Sequence, residues 1–297
     1  MSSKYIHKFH SEDLTIRASS VVTTELVREV QKIHQSFPIA TIAMGRLLTG
    51  ALLMASGLAE EQQVSIRVKG DGPIGELTTD ASFESEVRIY CGNPKIDLAP
   101  IDGKLPIGQA IGKGLLTITR FHKFHKHPQV SVVEIQSGEI AEDISYYYQQ
   151  SHQIPCFVAL SVSLDRNGDV RGAGGVILEL MPGAPESLVP ILESKIKRGK
   201  PLSELIVGGA SPLEIVSEYS HTTRLKESQH PFPIKYSCPC SPERVDRTLK
   251  LLGKASIAEM ILKGTPCEVK CQFCGRAFSV EVETLRRLHD ELVTTDN

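Results

Sequence analysis

Apolar and polar residues alternate over 64–68 (Val-Ser-Ile-Arg-Val), which predicts a half-buried strand, and Gly70-Asp-Gly-Pro73 after it predicts a tight turn. Residues 75–90, rich in threonine and alternating apolar positions, extend the β pattern. Further strands are predicted over 114–119, 130–136, 156–164 and 172–180, the last two joined through an Arg166-Asn-Gly168 turn. Helical spacing replaces alternation over 23–33, 39–59 and 141–152, where Ile144, Tyr147 and Tyr148 recur on one face. Ser36 ahead of Pro38 supplies a start signal for the second of these.

Beyond residue 182 the pattern changes. A helix is predicted over 185–198, with Leu188, Val189, Ile191, Leu192 and Ile196 for packing. Lys195, Lys197 and Arg198 in its last turn suit the negative end of the helix dipole, and Gly199-Lys-Pro201 stops it. Short helical pieces follow at 202–207 and 213–219, broken by Gly208-Gly209 and Pro212. From 236 the chain reads as a small module. Ser241-Pro242 opens one helix, Ser256-Ile-Ala-Glu259 is a capping box for a second, and Gly264 stops it. A hairpin over 269–282 folds around Cys271-Gln-Phe-Cys274-Gly275, and 284–292 forms a last amphipathic helix.

These patterns give an α+β fold: a mixed α/β core over 1–182, a helical and partly apolar linker over 183–235, and a small terminal domain over 236–297. With 297 residues, 41% hydrophobic and 23% charged, the chain can bury a sizeable core. A formal net charge of -2 gives no electrostatic case for nucleic acid or an anionic membrane. The stretch 39–59 is the most apolar, but Arg46 interrupts it, so it reads as a buried helix and not a membrane span. The first ten residues lack the apolar core of a signal peptide, and a cytoplasmic location is expected.

Seven cysteines are present, five of them crowded near the C-terminus. An odd count at tight spacing argues against an extracellular disulfide framework. Cys238-Pro-Cys240 and Cys271-Gln-Phe-Cys274 together offer four thiolates, the donor set of a closed tetrahedral zinc site. Gly275 after the second pair relaxes the backbone into a knuckle. Cys267 in place of Cys271 or Cys274 destroys that knuckle, so Cys267 reads as a fifth, non-ligand thiol. A module of this size is near the lower limit for folding alone. Structural zinc contributes an apparent ~10–16 kcal/mol, so losing it should unfold the module. On spacing alone a redox switch and a purely structural zinc ribbon both remain open. The C-x-C pair favours the switch slightly, because closed structural sites mostly use C-x₂₋₄-C pairs.

With these four positions in place, the chain resembles the redox-regulated 33-kDa heat-shock chaperone family. The likeness extends through Ala43-Met-Gly-Arg-Leu-Leu-Thr49, Gly70-Asp-Gly-Pro73, Asn93-Pro94, Ala173-Gly-Gly175 and Met181-Pro182, in the family's order. The resemblance implies an ATP-independent holdase that is weakly active when reduced, with one zinc ion on Cys238, Cys240, Cys271 and Cys274. It implies that oxidation forms Cys238–Cys240 and Cys271–Cys274 disulfides, releases zinc, and exposes apolar surface of module and linker to unfolded or oxidatively damaged clients. It also implies a homodimer in the active state and no catalytic residues.

Other signals are weaker. Gly70-x-Gly72-x-x-Gly75 matches a dinucleotide fingerprint, but the residues after it prefer strand where the fingerprint requires a helix. His122, His125 and His127 sit among lysines and read as an exposed loop. Ser151-His152 has no identifiable elbow or oriented acid, and Cys91 and Cys156 read as small buried residues. The alternative function is a zinc-ribbon nucleic-acid binder. Against it, residues 238–297 hold nine Lys/Arg and nine Asp/Glu, where phosphate binding needs a positive excess. A zinc enzyme is disfavoured because four cysteines close the coordination sphere.

Overall fold

The computed structural model describes residues 4–124, 127–228 and 232–294. The chain divides into two compact units, 1–237 and 238–297. The first unit runs β1 (Tyr5–Ser11), β2 (Ile16–Val22), α1 (Thr24–His34), α2 (Pro38–Ala55), β3 (Gln62–Gly70), β4 (Glu76–Ser82), β5 (Glu86–Cys91), α3 (Ile107–Ile111), β6 (Gly114–His122), β7 (Gln129–Glu134), α4 (Ala141–His152), β8 (Cys156–Leu164) and β9 (Val170–Leu180). It continues with α5 (Leu188–Arg198), α6 (Leu202–Val207), α7 (Pro212–Tyr219), β10 (Leu225–Glu227), β11 (Phe232–Pro233) and β12 (Lys235–Tyr236). The second unit holds α8 (Pro242–Leu251), α9 (Gly253–Leu262), β13 (Cys267–Lys270), β14 (Ala277–Val280) and α10 (Val282–Thr294).

Two six-stranded sheets build the first unit. One has the order β10-β1-β2-β9-β8, with β11 also on β1, and the other β12-β5-β4-β3-β6-β7. Helix α2 packs against both. From Ile39 to Ala55 every residue of α2 is buried except Arg46. By length and composition α2 qualifies as a membrane span, yet 89% of it is buried inside the protein, which marks a core helix. It starts where expected, with Pro38 at the first helical position and Phe37 as cap residue. Arg46 pairs with Glu139.

The first sheet is apolar on both faces. Ile6, Val21, Ala173 and Ile177 join the α2 core. Phe9, Ile16, Ala18, Val176, Leu178 and Leu180 form a second core with Leu192, Leu202, Ile206, Ile215, Val216 and Tyr219. Helices α5, α6 and α7 are therefore folded onto the outer face of this sheet; β10 and β11 then pair with β1, and β12 adds to the edge of the other sheet at β5. Glycines set the closeness of that packing. A Cβ at Gly174 would lie 2.6 Å from the Val21 carbonyl oxygen and 2.9 Å from Ile206 Cδ1, so at this spacing the position takes glycine.

Strands β1, β2, β10, β11 and β12 were not among the elements expected from sequence. The expected capping box at Ser256 is also corrected. Gly253 turns with φ +83 and α9 begins there, so Ser256 lies inside the helix and its hydroxyl donates to the Leu252 carbonyl at 3.0 Å. The Gly70–Gly75 run is a turn followed by strand β4, not a nucleotide loop.

Candidate metal centre

The second unit has a small core of Val245, Leu249, Ile257, Val280, Leu285 and Leu288. Its four-cysteine cluster is held by two loops. Cys238 and Cys240 precede α8, whose N-terminus is fixed by Ser241 Oγ accepting from the Arg244 amide at 3.4 Å. Arg244 Nη1 also donates to the Pro239 carbonyl at 3.2 Å, tying the C-x-C loop to the helix. Cys271 and Cys274 lie in the turn between β13 and β14. The Cys271 amide donates to the Arg276 carbonyl at 2.9 Å and the Gly275 amide to the Cys271 carbonyl at 2.8 Å, with Gly275 at φ +72. This is the conformation the sequence assigned to that glycine.

The four sulfurs all lie within 4.8 Å of one another. Cys238 Sγ is 3.6 Å from Cys271 Sγ, and Cys240 Sγ is 3.4 Å from Cys274 Sγ. A tetrahedron with ~2.3 Å metal–sulfur bonds has edges of about 3.8 Å, so the spacing and donor chemistry fit a thiophilic ion. The electrostatics point the same way. Burial, with the neighbouring Cys274 and Cys238 sulfurs, pushes the Cys240 thiol up to about 12. Burial also acts to raise Cys271, but amides of Cys274 and Phe273 donating to its sulfur, with Cys238, bring it below the ordinary thiol value. Thiolates this close repel, and a cation among them removes the conflict. These four cysteines can hold a metal ion. They are the one such group among the described residues.

The other thiols stand apart. Cys267 pairs across the hairpin with Val280 and packs against the small core. Cys91 is buried as expected, and desolvation pushes its thiol up to about 11. Cys156 is only half-buried, and its thiol is driven well above the ordinary range by burial and then by Glu179. Among the described residues His122 and His127 join no metal-ligand group, and His125 lies outside the described residues, as does the side chain of His152. Sequence reasoning passed over Asp143. This buried carboxylate accepts from the amides of Gln136, Ser137, Gly138 and Ile140 and fixes a loop in which Ile140 has φ +72. A lone aspartate at the start of a helix gives no sequence signal for that role.

The Hsp33 protein family model matches residues 4–281. The 33 kDa chaperonin of Desulforamulus reducens is 38% identical over 287 residues, covering 96% of each chain. That of Acetivibrio thermocellus is also 38% identical over 287 residues, again covering 96% of each. The crystal structure of the 33 kDa chaperonin from Thermotoga maritima superposes with a TM-score of 0.87 at 30% identity, covering 99% of this chain and 100% of that one. The whole-chain match, the two-sheet core and the four-cysteine terminal unit together make this protein a member of the Hsp33 family of chaperones.

Proposed function

We propose that this chain is a redox-regulated, ATP-independent holdase of the cytoplasm, with Cys238, Cys240, Cys271 and Cys274 as ligands of one zinc ion. The observation that carries the reading is the convergence of four sulfurs within 4.8 Å in a unit whose own core is six buried residues. Bound zinc would hold the sulfurs as thiolates and add an apparent ~10–16 kcal/mol to the stability of the unit. The chain's own part is then thiol chemistry. A thiolate attacks peroxide, giving a sulfenic acid and hydroxide; its partner thiolate attacks that sulfur, closing a disulfide and expelling a second hydroxide.

In a tetrahedral cluster sulfur distances do not select the partners. The pairing we favour is Cys238–Cys240 and Cys271–Cys274, because local bridges disconnect the C-x-C loop from the hairpin turn. Bridges from Cys238 to Cys271 and from Cys240 to Cys274 would instead keep both loops tied and the unit folded. Loss of the thiolates removes the metal ligands and melts the unit. Release of 183–235 from the outer sheet face would then bare apolar side chains to unfolded clients, with a homodimer as the active form.

The test is peroxide treatment at elevated temperature without nucleotide. Zinc release is followed with a chromogenic chelator, bridges by peptide mapping, assembly by sedimentation, and client aggregation by light scattering. We expect zinc loss, local disulfides and aggregation suppression to appear together. Zinc loss without suppression sinks the functional reading while leaving the metal site standing.

A further inference from the structure

The ladder between β8 and β9 leaves one side of β8 open. The Leu180 amide donates to the Pro155 carbonyl at 3.0 Å, which makes 155 and 180 a hydrogen-bonded pair. With Cys156 opposite Glu179 and Val158 opposite Ile177, alternation turns the amides and carbonyls of Cys156 and Val158 away from β9. Strand β8 ends the sheet order, so that side is an edge. Different helices cover the two faces of the strand. Cys156 and Val158 pack toward the α2 core, which α4 joins through Ile144, Tyr147 and Tyr148. Phe157 and Ala159 pack toward the outer core, which α5 joins through Leu188, Val189 and Leu192. At the start of β8 the two helices leave a groove of about 690 Å³ astride the edge, lined by Glu142, Tyr146 and Gln149 of α4, Cys156 and Phe157 of β8, and Val189 and Glu193 of α5, among others.

Edge, groove and charge together select an occupant. An open edge pairs with extended backbone, and the side chains of an added strand alternate between the two faces, here toward α4 and toward α5. Each wall carries one exposed carboxylate, Glu142 or Glu193, and no Lys or Arg lines the groove. Ile154, Phe157 and Val189 supply apolar contact between them. A second copy of this chain fits badly. Strand β8 itself carries no charged residue, so pairing β8 with β8 would bring Glu142 and Glu193 of both copies together with no cation between them. We propose that this groove binds an extended polypeptide segment that adds to the β8 edge, with adjacent basic residues meeting Glu142 and Glu193 and apolar residues on either side of them. Because α5 forms one wall, a bound segment bridges α4 and α5 and stabilises the docked arrangement of α5 on the outer sheet face.

The experiment uses the full-length, zinc-bound protein and a fluorescein-labelled peptide, Thr-Val-Lys-Lys-Val-Thr with blocked ends, followed by fluorescence anisotropy. We expect saturable binding and slower amide exchange over 188–198 when the peptide is present. Glu142→Gln with Glu193→Gln should weaken binding roughly fivefold, the loss of two exposed ion pairs. Both side chains are exposed, and the thermal midpoint of the variant reports that it is folded. N-methylation of both lysine amides blocks the two edges of the peptide while keeping its charge, and it should abolish binding. The same peptide with Glu in place of Lys should not bind. Absence of binding up to millimolar peptide, undiminished binding of the N-methylated peptide, equal binding by the double variant, or unchanged exchange over 188–198 overturns the proposal. Sedimentation of the protein alone as a dimer that the double variant strengthens would assign the edge to a second copy and overturn it as well.

Discussion

Ile206→Ala tests whether docking of 183–235 on the outer sheet face restrains activity in the reduced protein. Ile206 is 7% exposed, and its Cγ2 and Cδ1 rest above the strand at Gly172 and Gly174. Alanine removes three carbons, worth about 2.4 kcal/mol at ~0.8 kcal/mol each. The cavity left beside two glycines, which have no side chain to fill it, brings the loss toward the ~2–5 kcal/mol range for buried Ile→Ala changes. At ~1.4 kcal/mol per tenfold, the undocked population rises by about fiftyfold or more. The assay is amide exchange over 188–219 with zinc content measured in parallel, followed by client aggregation without oxidant. We expect faster exchange, unchanged zinc, and holdase activity in the reduced state. Faster exchange without activity would show that the covered face is not the client surface. Unchanged exchange would refute the docking energetics themselves.

Gly275→Ala, at φ +72, forces a side chain into the left-handed region at a cost of about 1–2 kcal/mol; chelator competition should show zinc affinity reduced by roughly tenfold. Asp143→Ala leaves four loop amides without their acceptor and should lower stability by about 2–4 kcal/mol, read as a lower thermal midpoint of the first unit and faster exchange over 136–140. The raised Cys91 thiol, about 11, stays protonated at pH 8, with roughly one thiolate per thousand molecules; iodoacetamide should spare Cys91 in native protein and modify it in urea, whereas native modification contradicts its burial.

Legibility followed the apolar pattern an element carries, and β9, buried on both faces, was still readable as a nearly unbroken apolar run over 173–178. Strands β3, β4 and β6 bury one stripe in the α2 core, and their alternation is plain in the sequence. Strands β1 and β2 serve two cores, with Ile6 and Val21 on one side and Phe9, Ile16 and Ala18 on the other, so no single stripe appears. The Ser256 box was overridden by Gly253 three residues earlier, whose positive φ ends α8 and starts α9 at that point.

The cysteine site lies at the other extreme. Its four thiols come in two local pairs, and their short-range spacing with Gly275 pointed to a group that could hold a metal ion before any fold was known. What the sequence could not determine was everything assembled from distant strands. The cover that α6 places over Gly172 and Gly174, and the groove that α4, β8 and α5 form together, depend on strand order and on how closely backbones approach. Both are set by long-range packing, which leaves no period in the chain to read.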